Sequence, residues 1–452
     1  MIEKPPIFKL GMGVKLSTLQ LMLTQSVNVF SDSISKIERE YLYWNKIKHI
    51  EDKKLSLIKS NIDSNHLLWF ITKWRRDNLK KTEYLFGNML DSDFTIEYSY
   101  NVNEFLQQKL HYLDFNFGAG IQKEQLLTDL DKAQYLNNAL MEESIFSSMI
   151  EGATTTRIQA KEMLRKNKKP RNISEQMILN NYEAIQYISE HQDQDFSLER
   201  LFEIHQIVVK NTLEDEHIGV FRNTDDVHVM NEITGEIVHT PPKFQELEPL
   251  MSSFCEFFNS NPKENFIHPI VKASILHFLI GYIHPFYDGN GRTARALFYW
   301  FLLKNGYWLT EYLSISRVIM ETKSQYEKAY LYTEVDEMDV SYFVHYQVKV
   351  LTKAFEDLKK YIAKKKKEQK NFSKFYQIEG INERQAQILF WVEKDSNRSF
   401  TVKEIENIFS VTNQTARTDL ENLVDLGYLK KIAVDKKSSN YWKGNKFNEL
   451  LL

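Results

Sequence analysis

Apolar residues recur at helical spacing along most of the chain. Between residues 112 and 350, the segments 123–149, 158–164, 174–191, 197–210, 244–258, 269–283 and 293–304 each predict a helix. Residues 1–95 read as helices too: 31–52 repeats apolar and aromatic side chains at that period, and Leu67-Leu-Trp-Phe-Ile-Thr-Lys-Trp74 makes one buried face. The basic cluster Lys73, Arg75, Arg76, Lys80, Lys81 is expected to be a solvated face. Residues 90–103 are polar and alternating, and are predicted to be a linker. One segment breaks the helical pattern. Residues 221–240 alternate on both sides of 231–235, which predicts a β-hairpin, and Pro241 and Pro242 lead from it into the next helix.

These patterns divide the 452 residues into a helical N-terminal domain (1–95), helices over 112–195, a core over 196–350, a lysine-rich linker helix over 351–380 and a separate unit over 381–452. That last unit predicts helices at 384–393, 402–409 and 415–426, a turn at 410–413, Gly427 at a C-cap, and two strands within 428–446. This is a winged helix-turn-helix, with Asn413, Gln414, Arg417 and Thr418 at the exposed start of its third helix. It is similar to winged-helix domains of bacterial regulators, which bind DNA or dock proteins; both remain open.

Composition narrows the class. Glycine and proline number 15 and 9, about half of average usage, which favours helices over a sandwich or barrel. The fold class is therefore mainly α. The net charge of −3 argues against a wholly polybasic protein, yet the chain beyond residue 350 is basic and raises a nucleic-acid question. Cys255 is the single cysteine, in an apolar helix, so a core role is expected and an intrachain disulfide is excluded. The first residues show no apolar signal region, and the runs 275–283 and 296–303 fall short of the ~20 residues needed to span a bilayer. The expectation is a cytoplasmic protein without a membrane segment.

The chemistry concentrates in His284-Pro-Phe-Tyr-Asp-Gly-Asn-Gly-Arg-Thr-Ala-Arg295, between two apolar helices. Gly289, Asn290 and Gly291 allow close backbone approach at a helix N-terminus, which is an anion site suited to phosphate. Arg292 and Arg295 could both reach a polyphosphate. Asp288 is a hard oxygen ligand for magnesium, and His284 is a candidate general base. Together they suit transfer of a phosphorus-centred group from a magnesium nucleotide to a hydroxyl.

This string resembles the Fic family, whose motif HPFx[DE]GNGRxxR it matches at every defined position. The resemblance implies a Fic-type helical core with a β-hairpin flap. It implies AMP transfer from ATP, with Mg2+, to a Ser, Thr or Tyr hydroxyl of a protein, with release of pyrophosphate. His284 would then deprotonate the target, Asp288 would coordinate magnesium, and Gly289, Asn290, Gly291, Arg292 and Arg295 would hold the phosphates. Residues 221–240, ending in His239 and Thr240, look like the family's flap, which pairs with an extended target segment. Tyr326 and Tyr330 either line the adenine pocket or belong to the core. Gly291 stands where phosphorylating Doc-type toxins carry lysine, which favours AMP transfer.

Ser147-Ser-Met-Ile-Glu-Gly152 resembles the family's inhibitory pattern [S/T]xxxE[G/N]. By that resemblance Glu151 competes with the γ-phosphate for Arg295, and Ser147, one turn earlier, joins the cluster. Two alternatives remain: removal of AMP by water activated at Glu151, and a DNA-binding regulator whose Fic domain senses nucleotide. Expected partners are ATP and a hydroxyl-bearing protein target, which the chain itself could be. DNA through the winged helix and a second copy of the chain are further candidates, and a membrane is not expected.

Overall fold

Most helices start where a polar side chain can take up the first free backbone N–H groups. Asn103, Thr156, Asn172, Ser197 and Ser314 each accept from the third residue of the helix that follows. The computed structural model describes residues 2–6, 31–50, 64–86, 95–119, 129–230, 234–409, 411–433 and 439–451. They fall into two units, Met1–Glu356 and Asp357–Leu452.

The first unit runs α1 (Ser31–Glu40), α2 (Trp44–Ile47), α3 (Ser64–Asp77), β1 (Lys81–Phe86), β2 (Thr95–Tyr100), α4 (Glu104–Asp114), α5 (Asp129–Ile150), α6 (Arg157–Arg165), α7 (Ile173–His191) and α8 (Leu198–Val209). It continues through β3 (Val229–Met230), β4 (Ile237–His239), α9 (Leu247–Asn259), α10 (Pro269–Ile283), α11 (Asn290–Lys304), α12 (Ile315–Glu321), α13 (Lys323–Val335) and the start of α14 (Ser341–Tyr376). α10 and α11 form its centre. Every side chain from Ile270 to Ile280 is buried, as is every one from Arg292 to Leu303, the mark of helices enclosed on all sides. The functional loop joins these two helices, so it is anchored at both ends in the core.

Two expectations for the first hundred residues are corrected. The segment expected to be helix and then linker contains the antiparallel pair β1–β2, in register from Lys81↔Tyr100 to Phe86↔Thr95. Thr95-Ile-Glu-Tyr-Ser-Tyr100 alternates β-branched and aromatic residues with polar ones, a strand pattern that a helical reading of the flanks obscured. The basic cluster on α3 is likewise not wholly solvated. Arg76 is 1% exposed; it donates to Glu38 and to Tyr342 Oη and lies 3.7 Å from the centre of the Tyr41 ring. Lys73 pairs with Asp336 at 2.8 Å. Only tertiary contact with α13 and α14 makes these charges internal.

In the second unit, α15 (Glu383–Lys394), α16 (Val402–Phe409) and α17 (Asn413–Asp425) precede β5 (Leu429–Ala433) and β6 (Ser439–Lys443). β5 and β6 pair antiparallel, and Phe400 exchanges backbone hydrogen bonds with Tyr441, adding a third short strand. Ala386, Leu389, Ile405, Leu420, Leu423 and Leu429 share its core. This is the expected winged helix; Ser410 and the wing residues Lys436 and Lys437 lie outside the described residues. The lysine-rich helix expected at 351–380 is the later part of α14, which begins at Ser341.

Candidate active site

The loop is built by its own polar side chains. Asn290 is 2% exposed; its Oδ1 accepts from Phe286 N–H at 2.9 Å and its Nδ2 donates to Phe286 O at 2.8 Å. That reciprocal pair closes the turn. Gly289 sits at φ +84° as the N-cap of α11, a left-handed conformation that costs a residue with Cβ. The N–H groups of Asn290, Gly291 and Arg292 then open the helix and face the loop mouth.

Asp288 is half exposed; its Oδ1 accepts from Gly289 N–H at 2.6 Å and its Oδ2 from Arg292 Nη2 at 3.0 Å. A single oriented carboxylate with unused lone pairs fits a magnesium ion whose other ligands are phosphate and water. Arg292 is fully buried and also donates to Val208 O at 3.0 Å. Its guanidinium thus braces Asp288 against α8.

His284 ends α10 in the left-handed region, at φ 50°. Its Nδ1 lies 3.3 Å from Gly281 O, which makes Nδ1 the protonated nitrogen and leaves Nε2 as an acceptor. Burial lowers its pKa to about 4, against the opposing pull of the Gly281 carbonyl and Glu151. The imidazole is therefore neutral at pH 7, the protonation state a general base needs.

At the far end of the loop, Arg295 is 1% exposed. Its Nε donates to Ser147 Oγ at 2.8 Å, and its Nη2 donates to Ser147 O and to Glu151 Oε1, each at 2.9 Å. Burial opposes its charge, yet Glu151 more than offsets this and its pKa is raised. Its Nη1 has no partner among the described residues, an orphaned buried donor aimed towards Gly291. A side chain at Gly291 would run into the Glu151 carboxylate. Glu151 thus lies over the first turn of α11, where an anion would bind.

The helix carrying this carboxylate is pinned elsewhere. Glu143, on α5, is buried and accepts from Ser316 N–H at 2.9 Å, from Ser316 Oγ and from Ser314 Oγ, so it caps α12. α5 ends at Ile150, and Gly152 at φ 89° turns the chain away.

The hairpin is shorter than its alternating pattern suggested. β3 and β4 pair through Val229↔His239 and Met230↔Ile237 with an irregularity between them, and Asn231 lies outside the described residues. His239 is buried, with Nδ1 2.8 Å from Glu334 Oε2 and Nε2 2.7 Å from Tyr282 O. It ties the second strand to the end of the helix that delivers His284. Thr240 follows it and is exposed. Tyr326 is 9% exposed and bonds through Oη to His277 Nε2 at 2.8 Å, while Tyr330 packs on Gly281; both sit in the core between α10 and α14.

Sequence reasoning missed the supports. His205 is fully buried, stacks on Phe286 at 3.8 Å, accepts from Gly219 N–H and donates to Asp288 O at 3.0 Å. Burial lowers its pKa to about 4, so it stays neutral. Arg222 donates from Nε to His284 O at 3.0 Å and also reaches Thr224 O and Pro242 O. Neither residue lies in a local motif; each acts on the loop from a distant part of the chain. Cys255 is buried and its thiol is pushed up to about 12, so it is inert as a nucleophile.

Residues 195–302 match the Fic/DOC family model. These residues form a Fic/DOC domain. Residues 384–433 match a DeoR-like helix-turn-helix domain. The chain is similar to "Protein adenylyltransferase Fic" of Nematostella vectensis, 34% identical over 128 residues that are 28% of each chain. The relative of the same name in Drosophila grimshawi is 35% identical over 126 residues, 27% of this chain and 24% of that one. The chain thus spans about a quarter of the length of these curated relatives. A solved Fic family protein from Desulfovibrio desulfuricans G20 superposes with a TM-score of 0.51 at 17% identity, over 75% of this chain and 95% of that one; at that identity the likeness concerns the fold. No helix among the described residues is long and apolar enough to cross a membrane.

Proposed function

We propose that this chain is a magnesium-dependent protein adenylyltransferase that moves AMP from ATP to a Ser, Thr or Tyr hydroxyl and is restrained by Glu151. One observation carries the reading. A neutral imidazole at His284 and a phosphate-binding helix end at Gly291 stand at opposite ends of one loop, and the Glu151 carboxylate sits on the second.

In the reaction the target hydroxyl oxygen bonds to the α-phosphorus of ATP and the bond from that phosphorus to the bridging oxygen breaks. Pyrophosphate leaves, and the hydroxyl proton passes to His284 Nε2. Asp288 would hold magnesium, which supplies positive charge to the phosphate oxygens. The N–H groups opening α11, with Arg295 once freed, would hold the β- and γ-phosphates and aim the α-phosphorus at the hydroxyl. β3 and β4 would align the target as an added strand. With Glu151 on Arg295, the γ-phosphate has no guanidinium to occupy, and ATP binds in an unproductive pose.

The test is label transfer from α-labelled ATP with magnesium, using wild type, Glu151→Gly and Glu151→Gly/His284→Ala. Strong labelling by the single variant alone supports transfer, restraint and the role of His284. Labelling that His284→Ala leaves intact rejects the mechanism. The helix-turn-helix match favours an accompanying reading, in which the second unit positions the enzyme on duplex DNA through Gln414, Arg417 and Thr418. Retention of the full chain on duplex DNA that weakens with salt and with Arg417→Ala supports it.

A further inference from the structure

The border of the target-binding face carries one sign of charge. Residues 211–240 hold seven carboxylates and a single Lys or Arg, namely Arg222. Arg222 is 2% exposed, and its guanidinium is committed to the carbonyls of His284, Thr224 and Pro242 and to Asp225. Its charge therefore faces inward.

Among the described residues, Glu214, Asp215, Glu216, Asp225, Asp226 and Glu236 are exposed. The side chains of Glu214 and Glu216 are 80% and 75% exposed. His217, beside both, stacks on Tyr287 of the active-site loop with ring centres 3.9 Å apart. Asp226 is exposed three residues before β3, and Glu236 is exposed one residue before β4. The nearest lysines in sequence lie at the edges of this stretch: Lys210 pairs with Glu183 at 3.6 Å, and Lys243 follows the two prolines. Inside the border, Met230 and Ile237 are cross-strand neighbours and are 60% and 55% exposed. Together they put an adjacent apolar pair on the exposed side of the hairpin.

We infer that the segment presented to this site is extended and basic, with an apolar side chain near its hydroxyl for Met230 and Ile237 and lysines or arginines flanking it. The inference rests on the transferase reading, because that reading makes the hairpin the place where the target lies. The physical basis is electrostatic complementarity: carboxylates lining one face attract a cationic segment over a Debye length and repel an acidic one. The hairpin orders the segment through its backbone; the border decides which segments arrive.

The test measures binding apart from transfer. Two fluorescent peptides share a central apolar-Thr-apolar sequence and differ in carrying flanking lysines or flanking glutamates. Each is titrated by anisotropy against the full-length His284→Ala protein, which keeps the border and removes turnover. The lysine peptide should bind about tenfold or more tightly at low salt, and the gap should shrink as ionic strength rises. Glu214→Lys/Glu216→Lys/Asp226→Lys should reverse the preference with ATP binding and melting temperature unchanged. Equal affinity for the two peptides, absence of binding by either, or a preference that survives the triple substitution overturns the inference. A parallel label-transfer assay with the Glu151→Gly form separates the two readings. Selective binding of the lysine peptide without transfer by any form rejects the transferase reading and leaves the basic-segment inference standing.

Discussion

The candidate active-site loop and the segment at the end of α5 meet at one guanidinium, yet they are held in opposite ways. The loop is over-determined: Asn290 bonds Phe286 twice, His205 bonds Asp288 O, Arg222 bonds His284 O, and Arg292 joins Asp288 to Val208. Removing one support leaves several. Glu151 is held in nearly the reverse way. Glu151 lies beyond the last turn of α5, its side chain is 30% exposed, and it holds Arg295 through one charged pair. The loop geometry is held from several sides, whereas the proposed restraint consists of a single charged contact within reach of solvent.

The sharpest way to break this contrast is to remove the base. In a Glu151→Gly background, His284→Ala should lower transfer by about 10²–10⁴-fold with little change in melting temperature. A loss of tenfold or less would mean that the loop works without its imidazole. Next in size is the brake. Glu151→Gly removes a charge-assisted hydrogen bond of roughly 1.5–3 kcal/mol, which corresponds to about a 10- to 150-fold rise in transfer at limiting ATP. Equal rates for both forms at limiting ATP with magnesium would sink the restraint.

Asn290→Ala should act on stability first. It strands a buried N–H and a buried carbonyl at Phe286, a cost of about 2–3 kcal/mol, and thermal melts would show it. An unchanged melting temperature would mean that the turn closes by itself. The pH dependence follows from His205, whose pKa falls from 6.5 to about 4 on burial. Below its unfolded value the unfolded chain takes up a proton that the folded chain refuses, so stability rises with pH between about 4 and 6.5. The expected loss is about 2 kcal/mol between neutral pH and about pH 5, and His205→Asn should flatten the profile. By the same shift at His284, transfer should show no acid limb near pH 6.5. A limb there in the Glu151→Gly form would overturn that assignment. The smallest effect is expected at Ser147. Its backbone carbonyl keeps Arg295 Nη2 even when Oγ is lost, so Ser147→Ala should raise transfer only by about 1 kcal/mol or less; an effect as large as that of Glu151→Gly would place the brake at the serine.

The chemistry was legible because it is contiguous. The candidate base, the candidate metal ligand, the glycines and the arginines fall within twelve consecutive residues, and two apolar helices flank them. The helices were legible for the same local reason, and the predicted bounds of α10 coincide with the structure. The strands were less so. β1 and β2 need each other to be stable, and the short pairing of β3 with β4 depends on how far the hairpin twists before its register shifts.

The sequence by itself determined the loop, its helix N-terminus and the classes of side chain available for phosphate, metal and proton. It also determined the winged helix, whose helical period and turn residues are local. Only the tertiary structure decided what each charge does. Arg292 and Arg295 are three residues apart and equally buried, yet one braces Asp288 while the other meets Glu151, 144 residues away in sequence. Arg76 is internal because α14 covers it, and His205 serves the loop because α8 lays it on Phe286. Periodicity reports which face of a helix is buried, not which partner it meets; a buried charge is defined by its partner, and these partners lie far along the chain.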